Sequence, residues 1–272
     1  MCIVMYSWFG FYICYTSYMN MWSTRRKIIY ISGALAVVLV VATIPTLFFL
    51  YKAPNCFDGK RNGGETGIDC GGACQLLCSA DTVEPTILWS RAFKVTDTVY
   101  SALAYIENPN INSEAQASYV FKLYDGNNAL IGTRQNTTMI PKNKVLAIFE
   151  PNISTQGRTP VRVTFEFMDA LVWTRNEAVS PSLSVVQKVL TGESDKPRID
   201  AVIKNNSLAS VGIIEVVAVV YDTNQNAIAA SRTFVDRLEK DASANVTFTW
   251  PLPFINPSVI EIIPRVVSAV VR

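Results

Sequence analysis

Two patterns of apolar residues divide this chain. From Ile28 to Tyr51 the sequence reads IIYISGALAVVLVVATIPTLFFLY, which is 24 residues without a charged side chain. A helix of that length measures roughly 36 Å, enough to cross the ~30 Å hydrocarbon layer of a bilayer. Beyond residue 85 the apolar positions alternate with polar ones, which indicates β-strands. The pattern therefore predicts one membrane-spanning helix followed by an all-β region.

The charges beside the apolar run predict its orientation. Arg25, Arg26 and Lys27 precede the run directly, whereas only Lys52 follows it closely. Because basic residues beside a membrane helix stay on the cytoplasmic side, we expect a cytoplasmic N-terminus and an exterior C-terminal part. The run exceeds the roughly 7–15 apolar residues of a cleaved signal peptide, and no A-x-A-like site follows it. We therefore expect an uncleaved anchor at residues 28–51 that crosses the plasma membrane once.

The segment before the anchor allows two interpretations. Residues 1–22, MCIVMYSWFGFYICYTSYMNMW, carry no charge and are rich in Tyr, Phe and Met. They form either a first membrane segment in a tight hairpin with the anchor, or upstream sequence ahead of a true start at Met19 or Met21. We favour the second, because a start at Met21 leaves a short basic tail before the anchor. On either interpretation we expect Ser23–Lys27, at the end of the N-terminal segment 1–27, to lie in the cytoplasm.

Alternating apolar residues mark several strands of the exterior part. SALAYIEN, ASYVFKLYD and the stretch from Val161 to Phe167 follow this pattern. Turn signals separate them at Asn108-Pro109, Asp125-Gly126 and Pro141-Lys142-Asn143. We expect each strand to bury one face.

The strand pattern returns about 97 residues further along the chain. The aligned positions are Ala102, Ala104, Ile106 and Asn108 with Ile199, Ala201, Ile203 and Asn205, and Tyr124-Asp125 with Tyr221-Asp222. Register and turn signals recur together, which indicates a tandem duplication. Each unit has six or seven short strands, the rhythm of an antiparallel β-sandwich. We expect two β-sandwiches, at residues 83–180 and 181–272, in a linear array that forms a stalk.

Four cysteines lie in the 23 residues from Cys56 to Cys78, inside a predicted small module of residues 52–82. The other two cysteines of this group are Cys70 and Cys74. An even number of cysteines in a Gly-rich exterior segment predicts two disulfides, and three pairings remain open. A four-thiolate zinc or iron–sulfur site is the alternative, but it lacks a C-x-x-C pair.

The same module carries four oxygen-bearing side chains at short spacing, Asp58, Asn62, Glu65 and Asp69. Oxygen ligands on a tight glycine-rich loop suit Ca²⁺, so calcium is one expectation for this set. The alternative is that these side chains cap turns of the loop.

The module resembles an extracellular cysteine motif, C-x-D-G-x-x-N-x-x-E-T-x-x-D-C-G-G-x-C-x-x-C, of many bacterial surface and secreted proteins. The residues from Cys56 to Cys74 match it, whereas Cys78 comes one residue late. The resemblance implies an exterior location and disulfide bonding, and it implies no activity.

Phe121-Lys122-Leu123-Tyr124-Asp125 resembles the signature of the FxLYD domain family, with Asn108, Gly132-Thr133 and Pro141 as further matches. The second unit keeps only Tyr221-Asp222. The resemblance implies immunoglobulin-like or fibronectin type III-like sandwiches, with no enzyme activity and no agreed ligand. From the alternation itself, we expect Phe121 and Leu123 in the core and Asp125 hydrogen-bonded to turn amides. We expect core or inter-domain packing for Trp89, Trp173 and Trp250.

Composition narrows the function. The chain after Lys27 carries 21 basic and 22 acidic residues, which argues against nucleic acid as a partner. It has no histidine, which excludes Ser-His-Asp and Cys-His catalysis. We therefore expect a non-catalytic, membrane-anchored surface protein that has a structural or binding role. Its partners, besides the lipid bilayer, would be an envelope or cell-surface protein or a glycan. The alternatives are an accessory subunit of a secretion or pilus complex, or a glycan hydrolase that uses two carboxylates.

Overall fold

The computed structural model of the chain describes residues 21–267, except the side chain of Met21. The two interpretations of the N-terminal segment concern residues that lie almost wholly outside this range. The chain divides into two compact units, residues 1–55 and residues 56–272. The predicted boundaries at residues 82 and 180 fall inside the second unit and stay predictions.

The first unit contains helix α1, Met21–Leu50. Its Trp22–Leu50 part is long and apolar enough to cross a membrane. Helix α1 begins before the predicted span of 28–51, because it includes the basic residues, and it ends at Leu50, one residue before Tyr51. The bounds of the membrane span itself stay a prediction. Because Arg and Lys have high helix propensity, the basic segment and the apolar run form one continuous helix. Inside the apolar part, the Thr43 hydroxyl donates to Leu39 O at 2.7 Å, which suits a side chain that meets no water in lipid.

The second unit is built from strands, and seven belong to its first half. They are β1 (Thr86–Lys94), β2 (Val99–Asn108), β3 (Ser113–Tyr124), β4 (Leu130–Ile140), β5 (Lys144–Ser154), β6 (Arg162–Phe167) and β7 (Val172–Arg175). They form two antiparallel sheets, β1-β2-β5 and β4-β3-β6, and β7 also pairs with β3. The core between these sheets includes Phe121, Leu123 and Trp173, as predicted.

Six strands form the second half. They are β8 (Leu183–Thr191), β9 (Arg198–Asn205), β10 (Ile214–Asp222), β11 (Ala227–Val235), β12 (Ser243–Thr249) and β13 (Pro257–Val266). Their sheets have the orders β11-β10-β13 and β12-β9-β8. A second core, with Ile199, Ile203 and Phe248, lies between them, and Trp250 packs against it. The expected all-β region of antiparallel β-sandwiches is therefore confirmed.

The predicted turns recur in both halves. Asp125 Oδ1 accepts the N–H groups of Asn127 at 3.0 Å and of Ala129 at 2.9 Å, which confirms its predicted role. Asp222 Oδ1 accepts those of Asn224 and Asn226 in the same way, both at 2.8 Å.

The prediction of a linear stalk was wrong. A third apolar cluster joins the two sandwiches through the outer faces of β1-β2-β5 and β11-β10-β13. Leu103 and Tyr105 contribute from β2, and Val217 and Val219 from β10. In β2 these positions were expected on the more polar face of a half-buried strand, yet both faces of β2 and of β10 are buried. Four sheets are therefore stacked in layers.

Candidate functional site

Two regions of the second unit carry the functional candidates: the disulfide module and a cleft between the sandwiches. In the module, disulfides join Cys56 to Cys74 and Cys70 to Cys78. This confirms the disulfide prediction and decides among the three pairings. The alternative of a four-thiolate metal site is wrong, because the four sulfurs are bonded in two pairs. Cys56, Cys74 and Glu65 lie within 4.8 Å of each other, but the two sulfurs of this group form a disulfide.

The four expected calcium ligands meet in one loop, where each carboxylate already has donors. Asp69 accepts the N–H groups of Asp58 at 3.0 Å and Gly59 at 2.9 Å. Asp58 accepts the side-chain amide of Asn62 at 2.8 Å. Buried Glu65 accepts the N–H groups of Asn62 at 3.2 Å and Asp69 at 3.3 Å. These contacts are those of turn-capping side chains. Calcium binding stays a prediction.

The module is attached to the first sandwich through its last turn. Leu77 N–H donates to Trp173 O at 3.0 Å, and Arg175 N–H donates to Gln75 O at 2.8 Å. Arg175 also donates to Gly72 O at 2.7 Å. The residues around Leu76 thus continue the edge of the sheet beyond β7, and the Leu77 side chain packs against the first core. The module is therefore held by a sheet edge and a core contact.

The second region is a cleft of about 770 Å³ that opens between the two sandwiches. Residues of β4, β5, β11 and β13 line it, together with the segment between β7 and β8. Several apolar side chains on its walls are exposed: Met139, Val145, Val179 and Phe234. Exposed apolar walls around a concavity are typical of a binding surface.

Charged groups of the cleft are bonded to one another. Buried Glu215 accepts from Arg232 at 3.0 Å and from Arg265 Nε at 3.0 Å. Arg265 extends across to the first sandwich, where it donates to Thr138 Oγ1 at 2.9 Å and to Met139 O at 3.0 Å. Because an unpaired buried charge is costly, this network favours one fixed arrangement of the sandwiches.

A second buried carboxylate lies behind the wall of the cleft. Glu150 accepts from Tyr119 at 2.6 Å, Asn136 at 2.9 Å and Arg134 at 3.1 Å. Burial, followed by the bond to Glu150, raises the pKa of Tyr119 well above its ordinary value. The phenol therefore stays a hydrogen-bond donor across the physiological range.

Sequence reasoning missed the cleft, and of the inter-sandwich cluster it anticipated only Trp89, which was expected in a core or in inter-domain packing and packs against this cluster. The available signal was the near-continuous apolar run in β10, where IEVVAVVYD has apolar residues on both faces. Such runs are typical of strands that are buried on both sides.

Comparisons with known proteins identify no family. No family model matches the sequence, and no curated protein matches it significantly. Among solved structures, red sea bream transglutaminase is 10% identical over 67% of this chain and 31% of its own, with a TM-score of 0.22. A β-glucuronidase of Bacteroides uniformis is 13% identical over 62% of this chain and 24% of its own, with a TM-score of 0.23. The chain thus spans less than a third of either protein, and likenesses at this TM-score carry no argument.

Proposed function

We propose that the protein is a membrane-anchored cell-surface protein with a structural or binding role and no catalytic activity. The observation that carries the proposal is the order of its parts. An apolar helix of 30 residues precedes a disulfide-bonded module and two packed β-sandwiches. Disulfides persist in oxidising compartments, so the second unit belongs outside the cytoplasm. The basic residues before the apolar run support a cytoplasmic N-terminus at the plasma membrane.

We also propose that both sandwiches are FxLYD-like and arose by duplication. The side-chain amide of buried Asn108 donates to Ser113 O at 3.1 Å and to Pro141 O at 2.9 Å. The aligned Asn205 donates in the same way to Ala209 O at 2.9 Å and to Leu238 O at 3.1 Å. A matching buried amide at the same strand end supports the repeat.

The proposal that the protein has no catalytic activity is supported by the hydrogen bonds of two carboxylates that line the cleft. A glycan hydrolase needs one carboxyl group that protonates the leaving oxygen and a second that acts as base or nucleophile. Arginine donors hold both oxygens of Glu215, and Glu114, which also lines the cleft, accepts the Asn176 amide at 2.7 Å. Glu215 is therefore held on both oxygens by structural partners.

A more specific form of this function is the role of an accessory subunit in an envelope complex. The apolar walls of the cleft favour this role. They offer a surface on which a segment of an envelope protein, or a glycan, could be held. A pull-down that recovers an envelope component with the wild-type protein, and loses it with Phe234→Asp, would support that role.

The topology is tested by protease treatment of intact cells that express the chain with a C-terminal tag. We expect the tag to be removed from intact cells while a cytoplasmic marker survives. Alkylation of a Cys2→Ser, Cys14→Ser variant should find no free thiol before reduction and four after it. A protected tag, or four thiols that react without reductant, would contradict the proposal.

A further inference from the structure

Two large apolar side chains stand out on the disulfide module. Phe57 is 88% exposed and Ile68 is 64% exposed. Phe57 precedes Asp58 and Ile68 precedes Asp69 in the sequence, and Asp69 accepts the N–H of Asp58 at 3.0 Å. The two side chains therefore belong to the same part of the module. We call this part, residues 57–61 with Ile68, the module tip.

The module tip carries two exposed basic side chains and one half-buried acidic side chain, Asp58. Lys60 and Arg61 are exposed directly after Phe57 and Asp58. The carboxylates of Asp58 and Asp69 accept backbone N–H groups of the loop, and Glu65 is buried. Exposed aromatic and aliphatic side chains beside basic ones are the combination that binds anionic lipid surfaces.

In the proposed topology, a short segment joins the module to the membrane helix. Only residues 51–55 separate the end of α1 at Leu50 from Cys56. Five residues span at most about 18 Å when fully extended. A protein partner would have to compete with a bilayer surface that this tether keeps within reach at all times.

We propose that the module tip binds the outer surface of the membrane, with Phe57 and Ile68 in the boundary between headgroups and acyl chains. Lys60 and Arg61 contact the phosphates of anionic lipids. The inference rests on the proposed function, since it requires that α1 is a membrane anchor. The result is a module held against the bilayer, and with it the sandwich to which its last turn is bonded.

The test uses the full chain in phosphatidylcholine vesicles with and without phosphatidylglycerol. A photoreactive benzoylphenylalanine replaces Phe57, and lipid adducts are counted by mass spectrometry after illumination. The matched control carries the same group at Leu208, which is 90% exposed on the second sandwich. We expect abundant lipid adducts at position 57 and background levels at position 208. Equal yields of lipid adducts at the two positions would overturn the proposal. So would a photoreactive group at position 57 that forms adducts only with protein and none with lipid.

A third position separates this inference from the proposed function. The photoreactive group at Leu39, in the middle of α1, reports whether the helix lies in lipid. Adducts at 39 without adducts at 57 would refute the docking and leave the anchor intact, whereas no adducts at either position would refute both.

Charge reversal tests the basic residues. Each basic side chain near an anionic surface changes partitioning roughly fivefold. Lys60→Glu with Arg61→Glu should therefore reduce the yield at position 57 strongly in phosphatidylglycerol vesicles and little in phosphatidylcholine alone. Lys240→Glu, on the second sandwich, is the charge control. Alkylation before and after reduction establishes that each variant retains its disulfides. An unchanged yield in both lipids would contradict the role of the two basic side chains.

Discussion

Single residues of the disulfide module have structural roles that explain their spacing. Asp69 and Glu65 accept backbone N–H groups that a turn leaves without strand partners. Gly71 and Gly72 adopt positive φ values of 74° and 55°. A Cβ at Gly72 would lie 1.9 Å from Gly64 O, a backbone atom that cannot move aside easily. The motif therefore encodes a tight, self-capping loop.

Gly72→Ala is expected to disrupt the module, because both the contact with Gly64 and the positive φ oppose a side chain there. Thiol alkylation without reductant should then detect free or mispaired cysteines. Gly126→Ala is the control, since nothing lies within 4 Å of a Cβ at that position. A Gly72→Ala protein with intact disulfides would show that the loop tolerates the substitution.

At the level of elements, β2 and β10 explain why the sandwiches pack on each other. Each strand has apolar side chains on both faces, so each sheet has one face in its own core and another that water would otherwise contact. Burial of the second face supplies roughly 25 cal/mol for each Å² of apolar surface. The packed arrangement is therefore favoured over an extended one.

Phe149→Ala tests this packing. Phe149 is buried in the inter-sandwich cluster, and Arg232 donates to its carbonyl at 3.0 Å. Loss of a buried phenylalanine side chain typically lowers the free energy of unfolding by about 3 kcal/mol, which urea denaturation would measure. Phe234→Ala, at a half-exposed residue of the cleft wall, should cost less than about 1 kcal/mol. Equal losses in the two variants would contradict the importance of the cluster.

At the level of the second unit, polar groups reinforce the apolar contact between the sandwiches. Arg91 of the first sandwich donates to Ala227 O of the second at 2.7 Å. The hydroxyl of Tyr105, in the first sandwich, faces Glu261 and Tyr221 of the second, and the Tyr221 hydroxyl donates to Glu261 at 3.1 Å. Burial and Glu261 raise the pKa of Tyr221 to about 12, and they raise that of Tyr105 further.

Because the pKa values of these tyrosines are raised on folding, we expect the free energy of unfolding to fall at alkaline pH. The pKa of Tyr221 is raised on folding, so its contribution is complete below about pH 10, the ordinary value. It is lost as pH rises toward the folded value of about 12, because the unfolded chain releases its proton first. The melting temperature should therefore fall more steeply with pH in this window for the wild type than for Tyr221→Phe. Between about pH 7 and 9 the two curves of melting temperature against pH should run parallel. Parallel curves across the whole range would contradict this role.

The sequence by itself determined the parts of this protein and their order. The apolar helix follows from an unbroken apolar run, the strands from alternation, and the disulfides from an even cysteine count in a glycine-rich segment. Each of these signals is local, because it depends on neighbours within a turn, a strand or a short loop. The core positions of Phe121 and Leu123 and the turn role of Asp125 were predictable for the same reason.

Only the tertiary structure decided which cysteines pair, that the sandwiches stack face to face, and that a cleft opens between them. These features depend on contacts between distant segments, such as the bond from Arg265 to Thr138 across 127 residues. A strand with two apolar faces indicates that something covers its second face, but no local pattern identifies the surface that does so. That choice is made by the shape and charge of whole sheets when they meet.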